Sequence, residues 1–243
     1  PKTLLKDVSV EEKFSDVEYD KCKLEEYLGD ILQLEAVACK DWLTNKVDRS
    51  VTGKIATQQS AGQIQLPLNN TGVSALDYKG VKGVATAIGH APAAGLIDPE
   101  SGSRLSLAEA LTNIIWAPLS DGMRGISLSA NWMWPAKNPG ENARLYKAVE
   151  ALSDFAISLG INIPTGKDSL SMTQKYSGSE IVFSPGTVII SAVSEVEDVK
   201  MIVSPVLKDV ENTEILYIDF SDGKKCLGGS SFGQLINKLG NQT

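Results

Sequence analysis

The longest amphipathic pattern in the chain covers residues 142–159 and lies between two strand-like runs. Its apolar residues recur at helical spacing and are predicted to face inward: Leu145, Val149, Leu152, Phe155, Ala156 and Leu159. Gly160 follows at once, where a residue in the left-handed conformation commonly ends a helix. The run GISLSANW at 125–132 precedes the helix, and an apolar run begins after it. The pattern therefore predicts one long, half-buried helix between two strands.

The stretch after this helix, INIPTGKDSLSM at 161–172, changes from apolar to polar along its length. Pro164 and Gly166 are predicted to end a short strand, and Gly166 would let the backbone approach a ligand closely. The following loop offers one cation, one carboxylate and two hydroxyl groups, a set that suits a phosphate with its magnesium. A plain polar turn explains the same composition, so both interpretations stay open from the residues alone.

A second helix is predicted at about 104–117, after a loop whose last serines are placed to cap it. Its apolar face carries Leu107, Leu111, Ile114 and Ile115. Glu109 and Asn113 are four residues apart, so they lie one above the other on a second face. Two oxygen ligands at this spacing can hold one hard cation. A surface pair on an amphipathic helix is the alternative.

The rest of the chain carries weaker patterns. One or two short helices are predicted over 23–45, and an irregular surface connection or, alternatively, a functional loop over 46–70. Two strands are predicted over 71–89 with a turn near Asp77–Gly80, and further strands at 180–184 and 187–193. ILYIDF at 215–220 is predicted as a buried strand, and 223–240 as a glycine-rich turn opening a helix.

Composition excludes several classes of function. The formal net charge of −7 and the lack of a long basic run argue against nucleic-acid binding. No run approaches the roughly 18 apolar residues that cross a membrane, and the N-terminus carries no signal-peptide pattern. Cys22, Cys39 and Cys226 are too far apart for a zinc or disulfide framework, so a cytoplasmic location is expected. His90, the sole histidine, is expected to be structural or superficial.

Several blocks together resemble one known family. They are GDILQLEAVACKDWLTNKVDRSVTGKIATQQSAGQIQLPL, DPESGSRLSLAEALTNIIWAPL, LSANWMWPAKNPGENARLY and INIPTGKDSLSMTQKY. In these blocks, which cover nearly the whole chain, it resembles phosphoribosylformylglycinamidine synthase in its large, single-chain form. The match looks like a piece of the second of two synthetase halves.

The resemblance implies an α/β (α+β) fold like that of aminoimidazole ribonucleotide (AIR) synthetase. Residues 46–195 would form an N-terminal-type subdomain, and 196–243 the truncated start of a C-terminal-type subdomain. Residues 1–45 would be a linker or the tail of a preceding region, with short helices. The other synthetase half and the glutaminase domain would lie outside this chain and be its partners.

The family's activity supplies the expected chemistry. Its members convert formylglycinamide ribonucleotide, ATP and glutamine to formylglycinamidine ribonucleotide in purine biosynthesis, with ammonia drawn from glutamine. ATP or ADP and Mg²⁺ are the implied cofactors. The isolated chain is expected to be inactive, and the alternative function is a structural module that binds a magnesium nucleotide without catalysis. A third interpretation, a relative such as AIR or selenophosphate synthetase, is disfavoured by the LSANWMWPAKNPGENARLY block.

The resemblance also assigns site residues. Glu109, Asn113 and Asn70 match positions that hold magnesium at a second, non-catalytic nucleotide site, and Asn69 beside them would contact the nucleotide. Asn70 stands where the family usually has an aspartate, so the site loses one negative charge. The loop residues expected to reach the catalytic nucleotide and substrate are Gly166, Lys167, Asp168 and Ser169.

Overall fold

The computed structural model describes residues 14–40, 49–208 and 211–242. In these ranges the helices are α1 (Leu24–Ile31), α2 (Pro92–Ile97), α3 (Pro99–Ile114), α4 (Glu141–Leu159) and α5 (Ser231–Leu235). The strands are β1 (Ile55–Thr57), β2 (Thr71–Ala75), β3 (Gly83–His90), β4 (Ser127–Met133), β5 (Asn162–Ser169), β6 (Thr173–Lys175), β7 (Ile181–Phe183) and β8 (Thr187–Val196). The start of the predicted linker, before residue 14, and the predicted helical residues 41–45 lie outside the described residues.

Six of the described strands form one mixed sheet in the order β1-β2-β3-β8-β4-β5. Only β4 and β5 run parallel within it, and α4 makes the crossover between them. The other neighbours are antiparallel, while β6 and β7 form a separate hairpin. An α/β fold with a mixed sheet is therefore confirmed.

Helices α3 and α4 cover one face of this sheet, and the opposite face is open in the described part of the chain. Leu107 and Ile114 of α3 are fully buried against Leu128 and Ile190 of the sheet. Alternate residues of β8 are buried, as expected for a sheet with one covered face. The prediction that Val149 of α4 faces inward is wrong, because its side chain is 42% exposed.

Strand β5 runs through Pro164 and Gly166, so the prediction that these residues end the strand is wrong. Because β5 is an edge strand, a proline is tolerated there. The pairing with β4 slips between Ser127 and Ser129, which places an irregularity beside Pro164. At Gly166 a Cβ atom would lie 2.5 Å from the carbonyl oxygen of Ala130. The glycine therefore serves close packing of two strands rather than a loop.

Helix α3 begins earlier than predicted. The carboxylate of Asp98 accepts hydrogen bonds from the backbone N–H groups of Glu100 and Ser101, and Pro99 occupies the first turn. The serines near residue 105 therefore lie inside the helix and do not cap it. Helix α2 lies in the stretch predicted as a loop, and β1 in the stretch predicted as an irregular connection.

The turn between β2 and β3 is confirmed near Asp77–Gly80. The carboxylate of Asp77 accepts hydrogen bonds from the backbone N–H groups of Lys79 (2.7 Å) and Gly80 (2.5 Å). These bonds, first that of Gly80 and then that of Lys79, lower the pKa of Asp77 below its usual value of 3.8.

The segment 215–220 is not the buried strand that its composition predicts. Leu216 is 80% exposed and Phe220 is 92% exposed, and no described strand pairs with the segment. Helix α5, which follows this segment in the chain, packs against the N-terminal region: Phe232 of α5 makes edge contacts with Tyr19 and Tyr27. None of the helices in the described ranges is long and apolar enough to cross a membrane.

Candidate functional site

A cavity of about 720 Å³ lies where the loop before β2, the end of β3 and helix α3 meet the sheet. This volume is in the range of ligand-binding pockets, about 300–1,000 Å³. Its lining residues are Gln59, Asn69, Asn70, Thr71, Gly72, Thr86, Ala87, Ile88, His90, Glu109, Asn113, Ser127, Leu128, Ser129, Thr165, Ser191, Ala192 and Val193. All four residues predicted from the resemblance for the second nucleotide site are among them.

A glycine in β3 brings α3 close to the sheet at this cavity. A Cβ atom on Gly89 would lie 2.2 Å from the carbonyl oxygen of Ser106 and 2.4 Å from the amide nitrogen of Ala110. No other residue fits this approach without moving the helix. Gly89 thus sets the distance between the helix that carries the predicted metal ligands and the strand facing them.

Glu109 and Asn113 are both held by the backbone of β3. The backbone N–H of His90 donates to Oε2 of Glu109 at 2.6 Å. The amide Nδ2 of Asn113 donates to the carbonyl oxygen of Ile88 at 3.0 Å, which leaves Oδ1 on the other side of the amide. His90 therefore positions the Glu109 carboxylate through its backbone N–H, while the exposed residue also lines the cavity.

Asn70 approaches these residues from the loop before β2. Its Nδ2 lies 3.4 Å from Oδ1 of Asn113, and the hydroxyl of Thr71 donates to the carbonyl oxygen of Asn113. Rotating the Asn70 amide by half a turn would point its oxygen at the same space as Oδ1 of Asn113. Glu109, Asn113 and Asn70 could then supply three oxygen ligands to one cation.

Asn69 plays a different part in the structure. Its Nδ2 lies within hydrogen-bonding distance of three acceptors in the protein, Oγ1 of Thr57, the carbonyl oxygen of Gln58 and that of Thr71. Its Oδ1 accepts from the backbone N–H of Thr71 at 3.2 Å. This amide holds the loop that presents Asn70, and a direct contact with a nucleotide stays a prediction.

The ligand atoms of this cluster suit a hard cation, and together they carry little negative charge. Among the described residues, no three His, Cys, Asp or Glu side chains gather into a metal-binding group. Any cation here would depend on the Glu109 carboxylate and on amide oxygens, which are ligands that Mg²⁺ accepts. Within the described ranges, no lysine or arginine lines the cavity, so it suits a phosphate that arrives with its cation better than a free anion.

The predicted loop Gly166–Ser169 does not join this cluster. It forms the second half of β5, and only Thr165 of that strand lines the cavity. The ammonium group of Lys167 donates to the carbonyl oxygen of Asp168 at 2.8 Å and to the hydroxyl of Ser169. The two predicted sets of site residues therefore occupy different places on the structure.

Six described residues with hydroxyl groups line the cavity, and none of them was predicted as a site residue from the sequence. Four of these residues, Thr86, Ser129, Thr165 and Ser191, come from four neighbouring strands. Strand alternation places every second residue on the open face of the sheet. The alternation alone does not show that these four strands are neighbours, so the sequence could have indicated these residues only if the sheet order were known.

The fold and the cavity together define a class: an α/β domain with one covered sheet face and a polar, ligand-sized cavity. Residues 39–195 match the family described as the FGAR-AT PurM_N-like domain, and the chain belongs to that family. This finding confirms the resemblance stated from the sequence.

Two relatives of high sequence identity carry the same enzyme name. Phosphoribosylformylglycinamidine synthase of Homo sapiens is 44% identical over 211 residues, covering 86% of this chain and 16% of that protein. The probable enzyme of Caenorhabditis elegans is also 44% identical, over 212 residues, with the same coverage. The chain thus spans about a sixth of the length of these relatives.

Among solved structures, PurLQS from Thermotoga maritima has a TM-score of 0.51 at 16% sequence identity. The match covers 82% of this chain and 29% of that one. At this identity the likeness concerns the fold alone. It agrees with the AIR synthetase-like fold class predicted from the resemblance.

Proposed function

We propose that the chain is part of the second synthetase half of an ATP-dependent carbon–nitrogen ligase, phosphoribosylformylglycinamidine synthase. The whole protein would convert formylglycinamide ribonucleotide, glutamine and ATP to formylglycinamidine ribonucleotide in de novo purine biosynthesis. The sequence identity with the human and nematode enzymes supports this proposal. The role of this chain within it is to bind a magnesium nucleotide in the cavity beside α3.

One observation carries that role: Glu109, Asn113 and Asn70 converge on one wall of the cavity. Glu109 and Asn113 are one helical turn apart on α3, and Asn70 comes from a loop far away in the sequence. Three hydrogen bonds, each with a backbone atom on one side, hold Glu109 and Asn113 in place. Magnesium, when bound, neutralises phosphate oxygens. The hydroxyl groups lining the sheet face would donate to the phosphate oxygens that remain.

The reaction of the whole enzyme has two chemical steps. The γ-phosphoryl group of ATP is transferred to the formamide oxygen of the substrate, and ADP leaves. Ammonia then attacks the activated carbon, and the C–O bond breaks with release of phosphate. Gly166, Lys167, Asp168 and Ser169 would reach this reaction centre from the exposed edge strand, where they could position the substrate and exclude water.

The proposed partners are the small-molecule substrates, the other synthetase half and a glutaminase domain of the same protein. The acidic net charge gives no support to nucleic acid as a partner. The cytoplasm is the proposed location. The isolated chain is predicted to form no amidine with ammonia and ATP, and measurable product formation would contradict this.

A structural role for the nucleotide is the second candidate. The cluster at Glu109 lies apart from the Gly166–Ser169 strand, so its nucleotide could stabilise the domain without reacting. In that case a substitution in the cluster would change the stability of the nucleotide-bound protein and leave the turnover chemistry of the whole enzyme intact. If the cluster were catalytic, the same substitution would lower the turnover of the whole enzyme even at saturating nucleotide.

The experiment that tests binding is a calorimetric titration with Mg–ADP, with Glu109→Gln as the variant. Glutamine keeps an acceptor for the N–H of His90 and removes the charge, so affinity should fall by about 10- to 100-fold. In wild type, nucleotide at about a hundred times its dissociation constant should stabilise the fold by roughly 2.7 kcal/mol. Glu25→Gln on exposed α1 is the matched control and should change neither value. Equal affinity in Glu109→Gln would contradict the proposal.

A further inference from the structure

A second cavity, of about 320 Å³, adjoins the first. The two share Asn69, Asn70, Thr71 and Asn113, so two of the three predicted cation ligands, Asn70 and Asn113, lie between them. The remaining wall of the second cavity is formed by Leu68, Trp116, Val203, Ser204 and Pro205. A ligand held at Asn70 and Asn113 would therefore have room to extend in this direction.

Trp116 is the largest side chain in that wall. It lies two residues beyond Ile114, the last residue of α3, and it lines the same cavity as Asn113. Its neighbour Ala117 is buried, yet the indole is 52% exposed beside the cavity. Trp116 thus offers an exposed aromatic surface in a cavity that a predicted cation ligand, Asn113, also lines.

The opposite side of the cavity is held in place by the backbone. The N–H of Val203 donates to the carbonyl oxygen of Trp116 at 2.9 Å, which ties the 203–205 segment to the end of α3. Val203 is 56% exposed and Leu68 is 52% exposed, and both line the same space. Exposed apolar side chains that gather around one concave site indicate a ligand surface more than scattered ones do.

The two cavities differ in charge. Glu109 lines the first, whereas no charged side chain lines the second in the part of the chain that the structure describes. An aromatic and aliphatic wall suits an uncharged, flat ring, and the neighbouring amide oxygens suit the cation that accompanies phosphates. The first cavity therefore suits the phosphate end of a nucleotide, and the second suits its base.

We propose that the second cavity seats the base of the nucleotide, with the indole of Trp116 as its stacking surface. This inference rests on the proposed function, because it takes the Asn70–Glu109–Asn113 cluster as the phosphate end. Stacking on an aromatic side chain tolerates different bases, so the subsite should favour purine nucleotides by ring area and discriminate weakly between ADP and GDP.

Tryptophan fluorescence tests the proposal directly. Titrating the chain with Mg–ADP should quench the emission of Trp116, and the quenching should vanish in Trp116→Leu. Trp132→Phe is the matched control, because Trp132 lies on β4 away from both cavities and its loss should leave the quenching unchanged. The affinity for Mg–ADP, measured by calorimetry, should fall at least about tenfold in Trp116→Leu and largely recover in Trp116→Phe.

Magnesium pyrophosphate separates this inference from the proposed function, because it carries the phosphates without a base. It should bind wild type and Trp116→Leu equally. Equal Mg–ADP affinity in both proteins would overturn the base subsite and leave the phosphate site standing. Failure of both probes to bind wild type would overturn the proposed function and the subsite with it.

A second variant guards against a folding defect in Trp116→Leu. Leu68→Asp changes an exposed side chain on the facing wall; it removes apolar contact surface for the base, and the added charge should repel the α-phosphate. It should weaken Mg–ADP binding by more than it weakens pyrophosphate binding. Equal weakening of both would contradict the placement of the base in this cavity.

Discussion

At the scale of single residues, the charge of the cation cluster decides what it can bind. Within the described residues of the cluster, Glu109 contributes the single carboxylate, while Asn113 and Asn70 contribute neutral amides. Such a site gains little Coulomb energy from a bare cation, and the phosphates of a nucleotide would supply the missing negative charge. We therefore expect Mg²⁺ and nucleotide to bind together, each strengthening the other.

The residue at position 70 gives a direct test of this view. Asn70→Asp adds a negative charge facing the space between Asn113 and Glu109, so the affinity for Mg²⁺ should rise by about tenfold, equivalent to about 1.4 kcal/mol. Calorimetric titration with Mg²⁺ in the presence and absence of ADP measures it. Asn162→Asp, on exposed β5, adds the same charge elsewhere and should have little effect. An unchanged affinity in Asn70→Asp would mean that residue 70 does not face the cation.

At the scale of elements, α3 has two tasks that occupy different faces. Its buried face, with Leu107 and Ile114, packs on the sheet, and its second face carries Glu109 and Asn113 into the cavity. The close approach at Gly89 joins the two tasks, because the packing distance also sets where the ligands stand. A loss of packing should therefore weaken ligand binding as well as stability.

Leu107→Ala should destabilise the fold by about 2–5 kcal/mol, because it leaves a cavity in a fully buried position. Leu105→Ala lies two residues away on the same helix, at a side chain that is 44% exposed, and should cost less than about 0.5 kcal/mol. Chemical denaturation of both variants measures the difference. Similar costs at the two positions would show that α3 does not pack as described.

At the scale of the whole molecule, the described chain exposes large apolar side chains in two places. The open sheet face carries Ile88 and Val193, and the segment 215–220 exposes an apolar run with strand-forming residues. Such a run has high β-propensity and few charges, the properties that favour pairing between chains. Association at high concentration is the expected consequence.

Replacing two residues of that segment should reduce association. Leu216→Lys with Ile218→Lys places charges in an exposed run and should lower the aggregated fraction without changing the melting temperature, because neither side chain is buried. Light scattering across a concentration series measures it. Ile157→Lys, at an exposed position on α4 outside this segment, is the control and should have a much smaller effect. Equal effects would mean that general charge, and not this segment, governs association.

The sequence by itself determined the elements whose pattern is local. Helix α4 ends at Gly160 in the left-handed conformation (φ 67°), as its periodicity and the glycine predict. The turn near Asp77–Gly80 and strands β2, β3, β4 and β8 also follow from nearby residues. The i, i+4 spacing of Glu109 and Asn113 likewise placed both on one side of a helix. These features depend on contacts within a few residues, so the local sequence contains the information.

The tertiary structure alone decided the features that need a distant partner. Pro164 lies inside a strand because β5 is at the sheet edge, and residues 215–220 form no strand because no described strand pairs with them. The cavity exists because strands ordered β3-β8-β4-β5 bring hydroxyl groups from distant residues to one face. Asn69 holds a loop because Thr57 and Gln58 are close in space. Hydrogen-bond partners and packing distances between remote segments decide such features, and no local pattern specifies them.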